Sequence, residues 1–174
     1  MATELLNAKY SSGAGNLTSC PAIDGAIQTG QRVIGPAFAA AGQWGGHETI
    51  LLVEDEAFVR QVTAEVLESA GYGLVITRNA AEALEASRKW GPVDLLLADV
   101  VMPGMSGRAL ATEFASLYPR ARVLLMSGYA EQLALCELSP YSKKYLPKPF
   151  SRHTLLRSVR DALDTSPLDW EAAV

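Results

Sequence analysis

The chain predicts an α/β fold: a five-stranded, doubly wound parallel sheet covered on both faces by helices. Three observations point there. Short, nearly uninterrupted apolar runs (ILLV at 50–53, LLLA at 95–98, VLLM at 123–126) read as strands buried on both faces. Between them, apolar residues recur at helical spacing, the mark of amphipathic helices. The two patterns alternate regularly from Glu48 to Asp164, as expected of a parallel sheet with right-handed crossovers.

Each element has its own local cause. Ile50 to Val53 make a first strand. Val59, Val62, Val66, Leu67 and Ala70 line one face of the helix that follows, and Gly71 stands where a helix stop belongs. Leu74 to Thr77 read as a second strand, and Asn79 is placed to cap a helix through Lys89. Val93 to Ala98 form a third strand, followed by a turn-rich loop from Val100 to Met105. Ser106 caps a helix that runs to Tyr118 and is ended by Pro119. Val123 to Met126 give the fourth strand, Ala130 to Leu138 a short helix, and Lys144 to Pro147 a weaker fifth strand. Ser151 caps a last helix with Leu155, Leu156, Val159, Ala162 and Leu163 on one face. Helices on both faces imply the strand order 2-1-3-4-5 of flavodoxin-like proteins.

The bulk numbers bound the function classes. With 174 residues, 49% hydrophobic and 20% charged, the chain can bury one ordinary core and carry additional tails. A net charge of -4 argues against nucleic acid as a partner. Cys20 and Cys136 stand far apart with only two histidines in the chain, which fits neither a zinc pattern nor a disulfide framework. VIGPAFAAAG is too short and interrupted for a membrane span. The expectation is a cytoplasmic protein with no membrane insertion.

Residues 1–46 differ from the rest: eight of the 14 glycines fall here, with Glu4, Lys9, Asp24 and Arg32 as the charges. A flexible arm is expected, with at most a short helix around Pro36 to Ala41. The domain proper spans 47–164, and 165–174 form a short tail in which Trp170 can dock.

Polar residues stand where the apolar runs end. Glu54 and Asp55 close the first strand, Asp99 the third and Ser127 the fourth, while Lys148 follows the fifth. In parallel sheets the ligand crevice lies at the carboxyl ends of the strands. Three acids, a hydroxyl and a lysine converging there suit phosphoryl transfer.

LLVEDE, LLLADVVMPGMSG, LLMSGYA and YLPKPF, in this order and spacing, resemble the receiver domain of bacterial two-component response regulators. The likeness covers residues 48–164. Each motif alone is weak, since Asp is common at strand ends and turns. Together they are specific. The resemblance implies Asp99 as phosphoacceptor, a carboxylate nucleophile that forms an acyl phosphate. It implies Mg2+, a hard ion for oxygen ligands, held by Glu54, Asp55, Asp99 and the backbone carbonyl of Val101. Lys148 and Ser127 would contact the phosphoryl oxygens, and a cis peptide is implied at Lys148-Pro149. Ser127 and Tyr145 match a switch pair, although a strand tyrosine chosen for β-propensity explains Tyr145 equally well.

Three positions bear on how this chain departs from the commonest pattern. Glu54 stands where an aspartate is frequent, and Val101 and Tyr129 occupy positions that govern access of hydrolytic water, suggesting slow self-dephosphorylation. The implied phosphoryl donor is a histidine kinase or histidine phosphotransfer protein. Output to an unknown downstream protein would use the face of the fourth helix, fifth strand and last helix: Glu131, Gln132, Tyr141, Tyr145, Arg152 and His153. Three functional readings follow: a phosphorylation-controlled switch, a detached receiver of a hybrid histidine kinase (GGHETILLVEDE resembles the junction before such receivers), and an aspartyl-phosphate phosphatase. The last is disfavoured by Val101, where dehalogenase-like phosphatases carry a second aspartate.

Overall fold

The computed structural model describes residues 32–33, 44–128 and 145–165. In chain order its elements are β1 (Arg32–Val33), β2 (Thr49–Val53), α1 (Ala57–Ser69), β3 (Gly73–Thr77), α2 (Ala80–Trp90), β4 (Leu95–Asp99), α3 (Gly107–Leu117), β5 (Arg122–Ser127), β6 (Tyr145–Pro147) and α4 (Arg152–Asp164). They build one six-stranded sheet ordered β1-β3-β2-β4-β5-β6. The last five are parallel neighbours, which is the 2-1-3-4-5 order expected from the sequence.

β1 is an addition to the expected set. It joins the β3 edge in antiparallel register, Arg32 opposite Val75 and Val33 opposite Leu74. Two residues inside a Gly-rich arm carry no periodic signal, so the backbone pairing that places them is invisible to pattern reading. The expected helices at 36–41 and 130–138, Tyr129, Glu131, Gln132, Tyr141, the first residue of the expected fifth strand and Trp170 lie outside the described residues.

Alternation along each strand splits the core in two. Leu51, Val53, Leu96, Ala98, Val123 and Leu125 face α2 and α3, where Leu110 and Phe114 meet them. Ile50, Leu52, Leu95, Leu97, Leu124 and Met126 face α1 and α4, against Leu67, Leu155 and Val159. The strands read as continuous apolar runs because both sets are buried.

The predicted stops and starts operate as chemistry requires. The Asn79 side chain accepts from Glu82 N at 2.9 Å, Ser106 Oγ from Ala109 N at 3.3 Å and Ser151 Oγ from Thr154 N at 3.1 Å. Gly71, at φ 97°, ends α1: its N–H donates to Glu68 O at 2.9 Å while Tyr72 N donates to Leu67 O at 3.3 Å, a paired C-terminal cap. α1 begins at Ala57, two residues earlier than the apolar spacing suggested, without a side-chain cap.

The segment just before β2 is fastened to the domain. Gly46 N donates to Ala70 O at 3.2 Å, Tyr72 Oη donates to Trp44 O at 3.0 Å, and the Trp44 ring meets His153 edge-on at 6.1 Å. Arg160 on α4 pairs with Glu48 at 2.8 Å and with Asp164 at 2.9 Å. A Cβ on Gly46 would collide with Glu48 and Tyr72, so only glycine fits this approach. Residues 44–46, assigned to the flexible arm by sequence, are therefore packed against α1 and α4. Among the described residues no helix is long and apolar enough to cross a membrane.

This packing makes two measurable demands. Phe114→Ala, at a fully buried position, is expected to lower stability by about 3–5 kcal/mol in urea unfolding, with an unchanged dependence on denaturant. Burial opposes the charge of Glu48, but its bonds to Arg160 and backbone amides outweigh that and hold its pKa below the ordinary 4.5. A depressed native pKa contributes stability above the unfolded value and loses it as pH falls. Glu48→Gln should accordingly flatten the stability–pH curve below about 4.5, as followed by denaturation midpoints across acid pH.

Candidate functional site

Parallel register brings four strand ends to one place. Val53 pairs with Ala98, Asp99 with Met126 and Ser127 with Pro147, so the residues that follow or close these strands are neighbours. Backbone pairing continues one step beyond the strands: Glu54 N donates to Thr77 O at 3.2 Å, Val100 N to Met126 O at 2.8 Å and Lys148 N to Ser127 O at 2.7 Å. The site therefore rests on the rigid end of the sheet rather than on free loops.

Carboxylate oxygens of Glu54, Asp55 and Asp99 all lie within 4.8 Å of one another. Glu54 is fully buried and Asp99 nearly so, at 0% and 8% exposure, while Asp55 is exposed. Lys148 Nζ bridges the two buried acids, 2.6 Å from Glu54 Oε2 and 2.8 Å from Asp99 Oδ2. The Lys148-Pro149 peptide is cis. Asp99 Oδ1 also accepts from Val101 N at 3.2 Å, and Glu54 Oε1 from Glu56 N at 3.4 Å.

Electrostatics follow from burial. Desolvation raises the Glu54 pKa; Lys148 opposes that, and the Asp99 charge adds to it. Burial alone would pull Lys148 down, but the hydrogen bonds it donates to Asp99 and Glu54 prevail and raise its pKa. One ammonium faces three carboxyl groups. That excess of negative charge, on oxygen donors alone, fits a hard divalent cation. Ser127 Oγ is buried and has no hydrogen-bond partner among the described residues. A buried hydroxyl of this kind suits an arriving oxyanion.

The structure thus brings Glu54, Asp55, Asp99 and Lys148 into direct proximity, with Ser127 at the adjoining strand end. Val101 follows Asp99 with its side chain half exposed. Tyr145 opens β6, partly buried against the α2–α3 side of the core.

Three supporting residues escaped the sequence reading. Arg60 on α1 donates through Nη1 to Glu54 O at 2.7 Å and Asp55 O at 3.0 Å. Thr77 Oγ1 donates to Leu52 O at 3.2 Å beside the first strand end. Gly107 N donates to Val100 O at 3.1 Å, and a Cβ there would strike the Asp99 carbonyl. Gly107 was legible as the last residue of LLLADVVMPGMSG, whose glycine lets α3 start against the acid loop. Arg60 and Thr77 look like ordinary helix and strand residues, and their roles are set by backbone carbonyls that sequence does not display.

Comparison with known proteins gives a consistent picture. The response regulator receiver domain profile matches residues 50–160. The chain is 39% identical over 121 residues to the sensor kinase CckA of Brucella abortus, covering 68% of this chain but 13% of that kinase. It is 35% identical over 116 residues to the response regulator receiver protein CpdR of the same organism, covering 66% of this chain and 95% of CpdR. The crystal structure of a CheY-like receiver domain protein from Methanospirillum hungatei superposes with a TM-score of 0.61 at 27% identity, over 73% of this chain and 98% of that one. Much of each larger relative has no counterpart here, the chain spanning 22% of the NtrC regulator of Escherichia coli as well. The match across residues 50–160, on a sheet of the expected strand order, makes this chain a member of the response regulator receiver domain family, signalling modules of two-component systems.

Proposed function

We propose that Asp99 accepts a phosphoryl group from the phosphohistidine of a histidine kinase or histidine phosphotransfer protein, and that a downstream protein reads the phosphorylated state. The observation that carries this reading is the Lys148 ammonium held at 2.6 Å and 2.8 Å from two buried carboxylates, with a third acid within 4.8 Å. In the transfer, an Asp99 carboxylate oxygen bonds to phosphorus, the bond from phosphorus to the donor imidazole nitrogen breaks, and the imidazole regains a proton. The chain contributes mostly position and charge.

Glu54, Asp55, Asp99 and the Val101 carbonyl would hold Mg2+. When bound, the ion supplies the positive charge that lets an anionic nucleophile meet an anionic phosphoryl group. Lys148 offers its charge to the phosphoryl oxygens, and the Ser127 hydroxyl donates to one of them. Tyr145 then follows Ser127 between two packings that the phosphoryl group biases. The signalling face includes Tyr145, Arg152 and His153. Among these, Arg152 also donates to Ser69 Oγ on α1 at 2.8 Å.

A second reading, a relay or phosphate sink separated from a hybrid kinase, is favoured by the likeness to the sensor kinase CckA. It uses the same acceptor; as a relay it passes the phosphoryl group onward to a histidine, and as a sink it loses it to water.

Incubation with acetyl phosphate and Mg2+ is expected to add one phosphoryl group by intact mass, not formed when the ion is chelated beforehand and absent in Asp99→Ala. A modified Asp99→Ala, or turnover of acetyl phosphate faster than the phosphoryl group is lost from Asp99, would refute the reading. Lys148→Ala is expected to slow phosphorylation by about 10²–10³-fold, measured as the initial rate of that mass change. With Val101 beside the acceptor, the phosphoryl group should persist for minutes or longer; a half-life of seconds would contradict slow self-dephosphorylation.

A further inference from the structure

Asp55 presents a problem that the other acids do not. Glu54 and Asp99 are buried and tied to Lys148, whereas Asp55 is exposed. No hydrogen bond or ion pair to its carboxylate occurs among the described residues. Its place beside Glu54 and Asp99 must therefore come from its backbone. β2 ends at Val53, so the ladder stops short of that peptide, and the carbonyls of Glu54 and Asp55 need donors from elsewhere.

Arg60 supplies them. Its Nη1 donates to Glu54 O at 2.7 Å and to Asp55 O at 3.0 Å, and its own backbone is fixed in the first turn of α1 by Arg60 N donating to Glu56 O at 2.9 Å. A single Nη1 thus tethers two successive peptides to a helix, its two N–H groups being enough for both carbonyls. The carboxylates themselves are left free of it.

We propose that Arg60 is a positioning residue for the divalent-ion site: it fixes the Glu54–Asp55 backbone so that the unsupported Asp55 carboxylate converges with Glu54 and Asp99. The proposal rests on the metal-assisted reading above. It has a distinguishing sign. Arg60 carries positive charge near a cation site, so by electrostatics alone its removal tightens Mg2+ binding. Acting as a tether, its removal weakens binding, as loss of groups that orient metal ligands does, by about 10–100-fold.

The test is isothermal titration of the full chain with MgCl2, comparing wild type, Asp55→Ala, Arg60→Met and Arg60→Lys, with metal-free melting temperatures alongside. Arg60→Met keeps the aliphatic stem, and Arg60→Lys keeps charge and hydrogen-bonding capacity. Expected is Mg2+ affinity about tenfold or more weaker in Arg60→Met at a nearly unchanged metal-free melting temperature, with substantial recovery in Arg60→Lys. Affinity in Arg60→Met equal to or tighter than wild type overturns the proposal, as does a loss that tracks destabilisation in both Arg60 variants. Wild type that binds no Mg2+, or binds it unchanged in Asp55→Ala, overturns the metal site itself, a failure separable from that of Arg60 alone.

Discussion

Lys148 between Glu54 and Asp99 is the contact around which the molecule is organised. A carboxylate with no solvent exposure is costly unless paired and hydrogen-bonded, and the pairing here spans from residue 148 back to residue 54. It can form only if the first and last strands of the parallel set end at the same level of the sheet. The register does this: Val53 beside Ala98, Asp99 beside Met126, Ser127 beside Pro147. A slip of one residue in any ladder would turn its side chains to the opposite face and strand a buried charge. Core packing and site electrostatics therefore specify the same alignment.

The same arrangement explains how a small chemical change could be felt widely. The ammonium, the carboxylates and a Ser127 hydroxyl with no partner among the described residues form a set whose bonding the proposed phosphorylation would have to redistribute. Beneath it the sheet is packed on both sides and is stiff. Any rearrangement that the proposed phosphorylation brings would thereby fall on the loops after β2 and β4 and on the short strand β6, rather than on the core.

Much of this was legible in the chain. The buried strands announced themselves because ILLV, LLLA and VLLM have no polar interruption, and Asn79, Ser106 and Ser151 marked three helix starts through the side-chain oxygens that cap them. Asp99 and Lys148 could be singled out because parallel strands deliver their final residues to one edge. What stayed hidden was held by main-chain atoms. Arg32 and Val33 give no sign of an edge strand, because the only signature of so short an element is its ladder to β3. Arg60 likewise touches carbonyls, and Trp44 and Gly46 read as part of a Gly-rich arm because their tertiary partners, Tyr72, His153 and Arg160, lie far along the sequence.

The fastening of Trp44 to Glu48 has a mechanical corollary. The backbone from Trp44 to Gly46 is held at two points: a carbonyl caught by Tyr72 and a glycine wedged beside Arg160. The anchoring contacts reach the C-terminal end of α1, through Ala70, and α4, through His153 and Arg160, so this short segment bridges the seam between the two helices. Ahead of the first parallel strand, Trp44 is already packed into the body of the domain.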